Sequence, residues 1–188
     1  MQIRLVRPDE HEEAGQLVVA AYRALPGAHL AGDYGIELAD VARRSGEAEV
    51  LVALGSGEQG RAEIVGCVTF VPDMSSPWSE LLAADESGVR MLAVRPDAQG
   101  RGVGRSLVDA CVGRARMMGR VALLLHTTPW MAAAQRLYAN AGFVRFPARD
   151  WAPVPEVPLL AYRLELGTDV APRELRPRHR PGDEPPAE

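Results

Sequence analysis

A glycine-rich segment in the middle of the chain has the composition of a phosphate-binding turn. The apolar residues 89–94 precede it and end just before Pro96. The segment itself reads Gln99-Gly100-Arg101-Gly102-Val103-Gly104-Arg105-Ser106. Glycines allow a tight turn with positive φ and leave no side chain between the backbone and a ligand. The first N–H groups of a following helix point at that ligand, and the helix dipole favours negative charge there. With two arginines adding positive charge, the segment predicts a site for a phosphorylated cofactor.

The spacing of these residues excludes two common phosphate-binding families. The dinucleotide fingerprint needs a third glycine, which would fall at Arg105 counted from Gly100, or at Leu107 counted from Gly102. It also needs an acidic residue at the end of the next strand, where this chain has His126. The nucleotide-triphosphate loop needs a lysine, and all 21 basic residues of this chain are arginines. A different class of phosphorylated cofactor is therefore indicated.

The elements that would position this turn form an α/β domain. The apolar patterns and the prolines and glycines between them predict the order β-α-(α)-β-β-β-α-β-α-β-β, a mixed sheet with helices on its faces. In this order the turn joins a strand at 89–94 to a helix that ends near residue 118, and another helix begins at Pro129. We assign residues 1–166 to this domain. Residues 167–188 are rich in proline and arginine, and we expect a disordered tail there.

The composition argues against several other classes of function. The formal net charge of −4 gives no reason to expect nucleic acid as a partner. No apolar run approaches the roughly 18 residues that a membrane span needs, and the first residues lack the apolar core of a signal peptide. Cys67 and Cys111 lie far apart without metal-ligand spacing, so we expect no metal site and two reduced, buried thiols. Together these features predict a cytoplasmic protein.

Two motifs in the second half of the chain resemble those of one enzyme family. Gln99, Gly102 and Gly104, placed after an apolar strand, form the pattern Gln-x-x-Gly-x-Gly, which resembles the acetyl-CoA-binding motif of the GNAT superfamily of N-acetyltransferases. Residues 134–143 resemble that family's A-x-x-L-Y-x-x-x-G-F segment. The resemblance covers residues 3–166 and is strongest over 89–145. One position departs from the family, because Met131 stands where an asparagine often helps to hold the pantetheine arm.

The resemblance implies a GNAT fold and acetyl-CoA as the cofactor. In this family the pantetheine lies along a strand as an added strand would, bound by main-chain hydrogen bonds, and the turn after the strand binds the pyrophosphate. Met131 would replace the usual asparagine contact through its backbone, or the contact is lost. The implied cofactor-binding residues are Leu92, Ala93, Val94, Gln99, Gly100, Arg101, Gly102, Val103, Gly104, Arg105, Ser106 and Met131.

The resemblance also implies direct attack of an amine on the thioester. A backbone N–H near Val94 would stabilise the oxyanion, and Tyr138 would meet the departing thiolate, unless it merely packs against Phe143. A protonated amine also needs a base. Glu86, just before the predicted strand, is our first candidate, with Glu80 and His126 as alternatives.

We therefore predict an N-acetyltransferase that acts on the primary amine of a small molecule. Three irregular segments, 22–34, 74–79 and 147–157, would line the acceptor pocket. They contribute the aromatic and acidic side chains of Tyr34, His29, Asp33, Trp78, Asp150 and Trp151. A protein that binds acyl-CoA without turnover, as a sensor or interaction module, is the alternative. The oligomeric state stays open, with a homodimer as one option.

Overall fold

The computed structural model describes residues 1–25, 33–56 and 61–167. The predicted tail therefore lies outside the described residues except for Gly167, and so does His29. The strands are β1 (Gln2–Leu5), β2 (Glu49–Ser56), β3 (Ala62–Val71), β4 (Glu86–Val94), β5 (Ala122–Thr127), β6 (Val144–Arg145) and β7 (Leu160–Glu165). The helices are α1 (His11–Arg23), α2 (Tyr34–Ala39), α3 (Val41–Glu47), α4 (Val103–Met117) and α5 (Ala132–Asn140). The predicted α/β order is confirmed.

The described strands form one mixed sheet in the order β1-β2-β3-β4-β5-β7-β6. All neighbours are antiparallel except β4 and β5, which run parallel and are connected through α4. One face packs on α4 and α5, with Leu107 and Cys111 at the centre of that core. The other face packs on α1, α2 and α3 around Val18 and Cys67. Both cysteines are free and buried, as predicted.

β4 and β5 separate after four paired positions. The pairing extends from Glu86 with Ala122 to Val89 with Leu125. Beyond it β4 continues along β3, while β5 continues along β7. A register shift between β3 and β4 accompanies the separation, and within it Met91 has a φ of +52°. The carboxyl ends of two parallel strands therefore border a gap in the sheet.

Three element boundaries differ from the sequence-based ones, each for a local reason. β4 begins at Glu86 rather than at residue 89, because the Glu86 side chain is buried in an ion pair. The helix predicted from Pro129 begins three residues later, after a turn closed by the Met131 N–H on the carbonyl oxygen of Thr128. The second helix of the predicted order is replaced by two short helices, α2 and α3, which meet at Asp40.

Candidate functional site

The turn between β4 and α4 presents an uninterrupted row of free backbone donors. Gly100 and Gly102 have φ of +73° and +83°, and a Cβ on either would meet no atom within 4 Å. Gly102 is the N-cap of α4. Within the described residues, none of the backbone N–H groups from 100 to 105 donates a hydrogen bond to another atom of the chain. Unpaired N–H groups at the start of a 15-residue helix form a binding site for an anion.

The polar side chains of this turn mostly hold the turn itself. Arg105 donates from Nε to Asp109 (2.8 Å) and from Nη1 to the carbonyl oxygen of Asn140 (2.9 Å), so it fastens the start of α4 to the end of α5. Gln99 donates from Nε2 to the carbonyl oxygen of Val94 (3.2 Å). Arg101 lines a groove on the β1–β3 side. The backbone, rather than the arginines, therefore supplies the donors at the centre of the turn.

The edge of β4 beside the gap carries backbone groups that β5 does not pair. The Arg95 N–H donates to the carbonyl oxygen of Val65 on β3 (2.9 Å). Because successive backbone groups along a strand point to opposite edges, those of Val94 and Leu92 point away from β3 and into the gap. Ala93, which pairs with Cys67, points its backbone groups to β3. This edge can accept an extended ligand in the manner of an added strand.

Met131 lies at the start of α5 with both backbone groups already engaged. Its N–H donates to Thr128, and its carbonyl oxygen accepts from the N–H of Gln135 (3.1 Å). The Gln135 side chain also donates to the carbonyl oxygens of Thr128 and Pro129. The hydroxyl of Thr128 is buried and has no partner among the described residues. The loop before α5 is thus held by its own hydrogen bonds, and an additional contact through Met131 would have to share its carbonyl oxygen.

Tyr138 is buried in the core between the sheet and the helices α4 and α5. Its ring lies 5.9 Å from that of Phe143 and 6.3 Å from that of Tyr162, centroid to centroid. Burial raises the pKa of its phenol well above the ordinary value. The phenol therefore keeps its proton over the neutral range. Tyr22, on the opposite face of the sheet, also has a pKa raised by burial.

Glu86 is a buried carboxylate at the start of β4. Oε1 accepts from Nε of Arg163 (2.8 Å), Oε2 accepts from the Ala83 N–H (3.0 Å), and Nη1 of Arg149 lies 3.8 Å from Oε2. Burial acts to raise its pKa, but these hydrogen bonds and positive charges outweigh burial and lower it. Glu86 precedes the last paired position of β4 by three residues, about 10 Å along the strand. Its role as general base stays a prediction, and these contacts are those of a positioning group.

His126 and Arg90 are the first residues of their strands beyond the paired part. Nε2 of His126 donates to the carbonyl oxygen of Arg149 (2.9 Å), since a carbonyl oxygen can only accept. This bond leaves Nδ1 as the unprotonated nitrogen of the neutral ring. Burial, assisted by the charge of Arg90, lowers the pKa of His126. Arg90 is not among the site residues predicted from the sequence. A single charged residue inside an apolar strand is a signal that could have indicated it.

The described residues of the predicted acceptor segments include several side chains that are already engaged by other groups of the protein. Trp78 is buried, with Arg43 and Arg90 stacked on its ring at 5.3 and 5.7 Å. Trp151 packs edge-on against His126, with ring centroids 6.4 Å apart. Asp150 accepts from Arg145 (2.7 Å) and therefore holds its own loop. Tyr34 remains beside the gap, where it interacts electrostatically with Arg90.

The described ranges, 1–25, 33–56 and 61–167, contain no cluster suited to a metal ion and no membrane-spanning helix. No group of three or more histidine, cysteine, aspartate or glutamate side chains is arranged there to hold a metal ion. In the same part of the chain, no helix has the length and apolar character needed to cross a membrane.

Comparison with known proteins relates residues 16–143 to the family described as Acetyltransferase (GNAT) family. IAA acetyltransferase of Azospirillum brasilense is 33% identical over 93 residues, which are 49% of this chain and 56% of that protein. Mycothiol acetyltransferase of Geodermatophilus obscurus is 33% identical over 78 residues, which are 38% of this chain and 25% of that protein. The matched residues of this chain thus span about half of the Azospirillum protein and about a quarter of the Geodermatophilus protein.

Solved structures share the fold. An acetyltransferase of the GNAT family from Staphylococcus aureus Mu50 aligns with a TM-score of 0.68 and 15% identity, over 88% of this chain and 99% of that chain. The structure of yncA from Salmonella typhimurium with its cofactor acetyl-CoA aligns with a TM-score of 0.62 and 22% identity, over 93% of this chain and 98% of that chain. The seven-stranded mixed sheet is therefore a fold that these proteins have in common.

Proposed function

The chain belongs to the GNAT family of acetyltransferases, and from that premise we propose that it transfers the acetyl group of acetyl-CoA to the primary amine of a small molecule. The observation that carries this proposal is the row of six free N–H groups at residues 100–105, at the end of the gap between β4 and β5. A phosphorylated and extended cofactor fits a site made of an anion-binding turn next to an unpaired strand edge.

The residues of this chain fit coenzyme A part by part. The N–H groups from Gly100 to Arg105 would bind the pyrophosphate, whereas the N–H of Ser106, also predicted to bind it, donates to the carbonyl oxygen of Gly102 (3.0 Å). Open space at the Cα atoms of Gly100 and Gly102 lets the phosphate oxygens approach the backbone. Leu92 would hydrogen-bond the pantetheine amides through its gap-facing backbone groups, and Val94 through its carbonyl oxygen, which also accepts from Gln99. Gln99 would hold the end of β4 in place through its bond to Val94.

Acetyl-CoA, when bound, supplies the thioester carbonyl that an amine attacks and a thiolate that departs. The Val94 N–H would donate to the carbonyl oxygen as negative charge develops there. Tyr138 would protonate or stabilise the departing sulfur, since its buried phenol retains its proton. The amine would attack directly, because Cys67 and Cys111 are fully buried with thiol pKa values raised by burial to about 12.

We assign the amine proton to His126 rather than to Glu86. The Nδ1 lone pair of His126 is available as a base, and the lowered pKa keeps the ring neutral at pH 7. Glu86 contacts Arg149, whose carbonyl oxygen holds His126. Glu86 would therefore act as a positioning residue for the base. A cytoplasmic location and the absence of a nucleic-acid partner remain predictions, and the oligomeric state stays open, with a homodimer as one option.

Two measurements on the full chain test this proposal. Calorimetric titration with coenzyme A and with acetyl-CoA should give saturable binding, and absence of binding at millimolar concentration would reject the cofactor site. Release of free thiol from acetyl-CoA should then depend on the amine supplied from a broad panel of small amines. Binding of acetyl-CoA with no amine-dependent release across the panel would favour the sensor instead of the enzyme.

A further inference from the structure

Arg90 is a half-buried cation on the acceptor side of the gap. Val89, its predecessor, is the last residue of β4 that pairs with β5 and packs in the core under α4. Because side chains alternate across a strand, Arg90 points to the opposite face of the sheet, where α1 and α2 lie. Its side chain is 23% exposed. A ligand entering the gap from that face would meet the guanidinium.

Aromatic groups surround this guanidinium. Nη1 of Arg90 donates to the carbonyl oxygen of Trp78 (3.2 Å), and Cζ lies 5.7 Å from the centroid of the Trp78 ring. Tyr22 and Tyr34 both interact electrostatically with Arg90, and their rings meet edge-on with centroids 6.2 Å apart. Arg90 and His126 directly follow the last paired residues of β4 and β5. The cation is thus part of the same region as the proposed base.

Negative charge on this face lies mainly at the rim. Within the described residues, the carboxylate paired with Arg90 is that of Glu80, whose side chain is 41% exposed. Behind the tyrosines lies a second cation, Arg44, which is fully buried. Nη1 of Arg44 donates to the carbonyl oxygens of Glu37 and Leu38, whereas Nε and Nη2 have no partner in the described part of the chain. Since buried charges are stable only when paired, this interior favours an anionic group.

We propose that the acceptor is a small amino acid, whose carboxylate binds Arg90 while its amine reaches the thioester; this rests on the proposed function. Arg90 precedes Leu92 by two residues, about 7 Å along the strand, and the thioester is proposed to lie beside Leu92 and Val94. A guanidinium can bind a carboxylate through two parallel hydrogen bonds. One carbon atom joins the amine and carboxylate of an α-amino acid, so the amine would lie between His126 and the thioester.

The rim charges are consistent with such a zwitterion. Glu80 neutralises Arg90 while the site holds no acceptor, and its exposed position allows an incoming carboxylate to replace it. Glu37, which acts electrostatically on Arg90 from α2, adds negative charge that would attract the ammonium group of the acceptor. An amine that lacks a carboxylate would leave the Arg90 guanidinium paired with Glu80. Arg90 would then not orient that amine in the site.

The test compares matched acceptors with the full chain and acetyl-CoA. The panel contains the free proteinogenic amino acids, their amides, and the corresponding amines without the carboxylate. Release of free thiol from acetyl-CoA is the measured signal. The best acceptors should be free acids. In Arg90→Met the KM for the best acid should rise about 10- to 100-fold, which is the worth of a charge-assisted hydrogen bond, while the KM of its amide should change little.

Two further variants separate recognition from structure. Arg43→Met removes the other cation stacked on Trp78, on a side chain that is 57% exposed, and should leave the acid-to-amide preference unchanged. Glu80→Gln removes the competing carboxylate and should lower the KM of the acid by up to about 5-fold, the usual worth of an exposed ion pair. In calorimetry, the N-acetylated form of the best acid is titrated into each variant in complex with coenzyme A. It should bind more weakly to Arg90→Met than to Arg43→Met.

Other outcomes overturn the proposal. It is wrong if amides or simple amines are the best acceptors, if Arg90→Met affects acids and amides equally, or if no acid in the panel releases thiol. Thiol release with simple amines would leave the proposed function intact and reject the amino acid as the substrate. Failure of acetyl-CoA to bind would instead reject the proposed function.

Discussion

The carbonyl oxygen of Arg149 accepts a hydrogen bond of 2.9 Å from Nε2 of His126. This bond fixes the tautomer of the neutral ring, with the proton on Nε2 and the lone pair on Nδ1. Arg149 belongs to the loop between β6 and β7, and its side chain approaches Glu86 at the start of β4. A backbone carbonyl in one loop thereby determines which nitrogen of a strand residue is available as a base.

We predict that His126→Gln changes the pH dependence of turnover. Burial lowers the pKa of His126 below its ordinary value, so the unprotonated base is gained as pH rises through a point below about 6.5. The rate at saturating amine should show this rising limb in the native protein. In His126→Gln the limb should be absent and the rate should fall by about 10²- to 10⁴-fold, the usual contribution of a general base.

Glu86→Gln is the matched comparison for that profile. If Glu86 positions His126, its variant should lower the rate and retain the limb, because the titrating imidazole is still present. If the limb persists in His126→Gln and is lost in Glu86→Gln, the sequence-based prediction of Glu86 as the base is correct. The assignment of the base to His126 is then wrong. Thermal melts of both variants show whether loss of the Arg163 pair has unfolded the protein.

We predict that Gly102→Ala weakens the binding of coenzyme A by at least about 10-fold. Its φ of +83° disfavours an L side chain, at a cost of roughly 1–2 kcal/mol, and the added methyl group would occupy the space next to the free N–H groups. Gly119→Ala is the control, because Gly119 has a φ of +68° and open surroundings at the other end of α4. Both variants should lose similar stability, and only Gly102→Ala should lose affinity by calorimetry. Equal affinities in the two variants would reject the turn as the binding site.

Tyr138→Phe should reduce turnover and leave the affinity for coenzyme A nearly unchanged. The phenol is proposed to donate to the departing sulfur, and general acid catalysis contributes about 10²- to 10⁴-fold. Tyr162→Phe is the control, since its ring lies 6.3 Å from that of Tyr138 and its hydroxyl donates to Gln135 at a long 3.4 Å. Stopped assays of thiol release, with calorimetry for affinity, measure both effects. Loss of affinity with normal turnover in Tyr138→Phe would show that Tyr138 has a packing role.

The local parts of the site could be predicted from the sequence, and the long-range parts could not. The turn at Gly100 and Gly102 and the start of α4 follow from residues that are neighbours in the chain. The burial of Glu86 depends on Arg163, 77 residues away, and no pattern near Glu86 indicates that pairing. The approach of Arg90 and His126 depends in the same way on where the pairing of β4 with β5 ends. Strand register is determined by packing of the whole sheet rather than by local sequence.

Glu10 allows a prediction about stability that is independent of the site. Its carboxylate accepts two hydrogen bonds from Arg4 on β1 (2.6 and 2.7 Å), and it also accepts from the backbone and the side chain of Arg7 (2.9 and 2.7 Å). The hydrogen bonds from Arg4 make the largest contribution, and together these interactions lower the pKa of Glu10 to about 2, although burial opposes them. The side chains of Glu10 and Arg4 are 9% and 23% exposed, whereas that of Arg7 is 60% exposed, so solvent screens the pair with Arg4 less than the pair with Arg7.

Glu10→Gln should therefore destabilise the protein in a way that depends on pH. A carboxylate whose pKa is lower in the folded state contributes its full stability above the unfolded value near 4.5, and loses it as pH falls through the folded value near 2. The deficit of the variant in urea unfolding should be on the order of 2 kcal/mol at pH 7 and should shrink between about pH 5 and pH 2. Glu13→Gln, an exposed position on α1, should show no such trend. A deficit in Glu10→Gln that stays constant from pH 7 to pH 3 would mean that the cluster stabilises the fold through packing and neutral hydrogen bonds instead of charge.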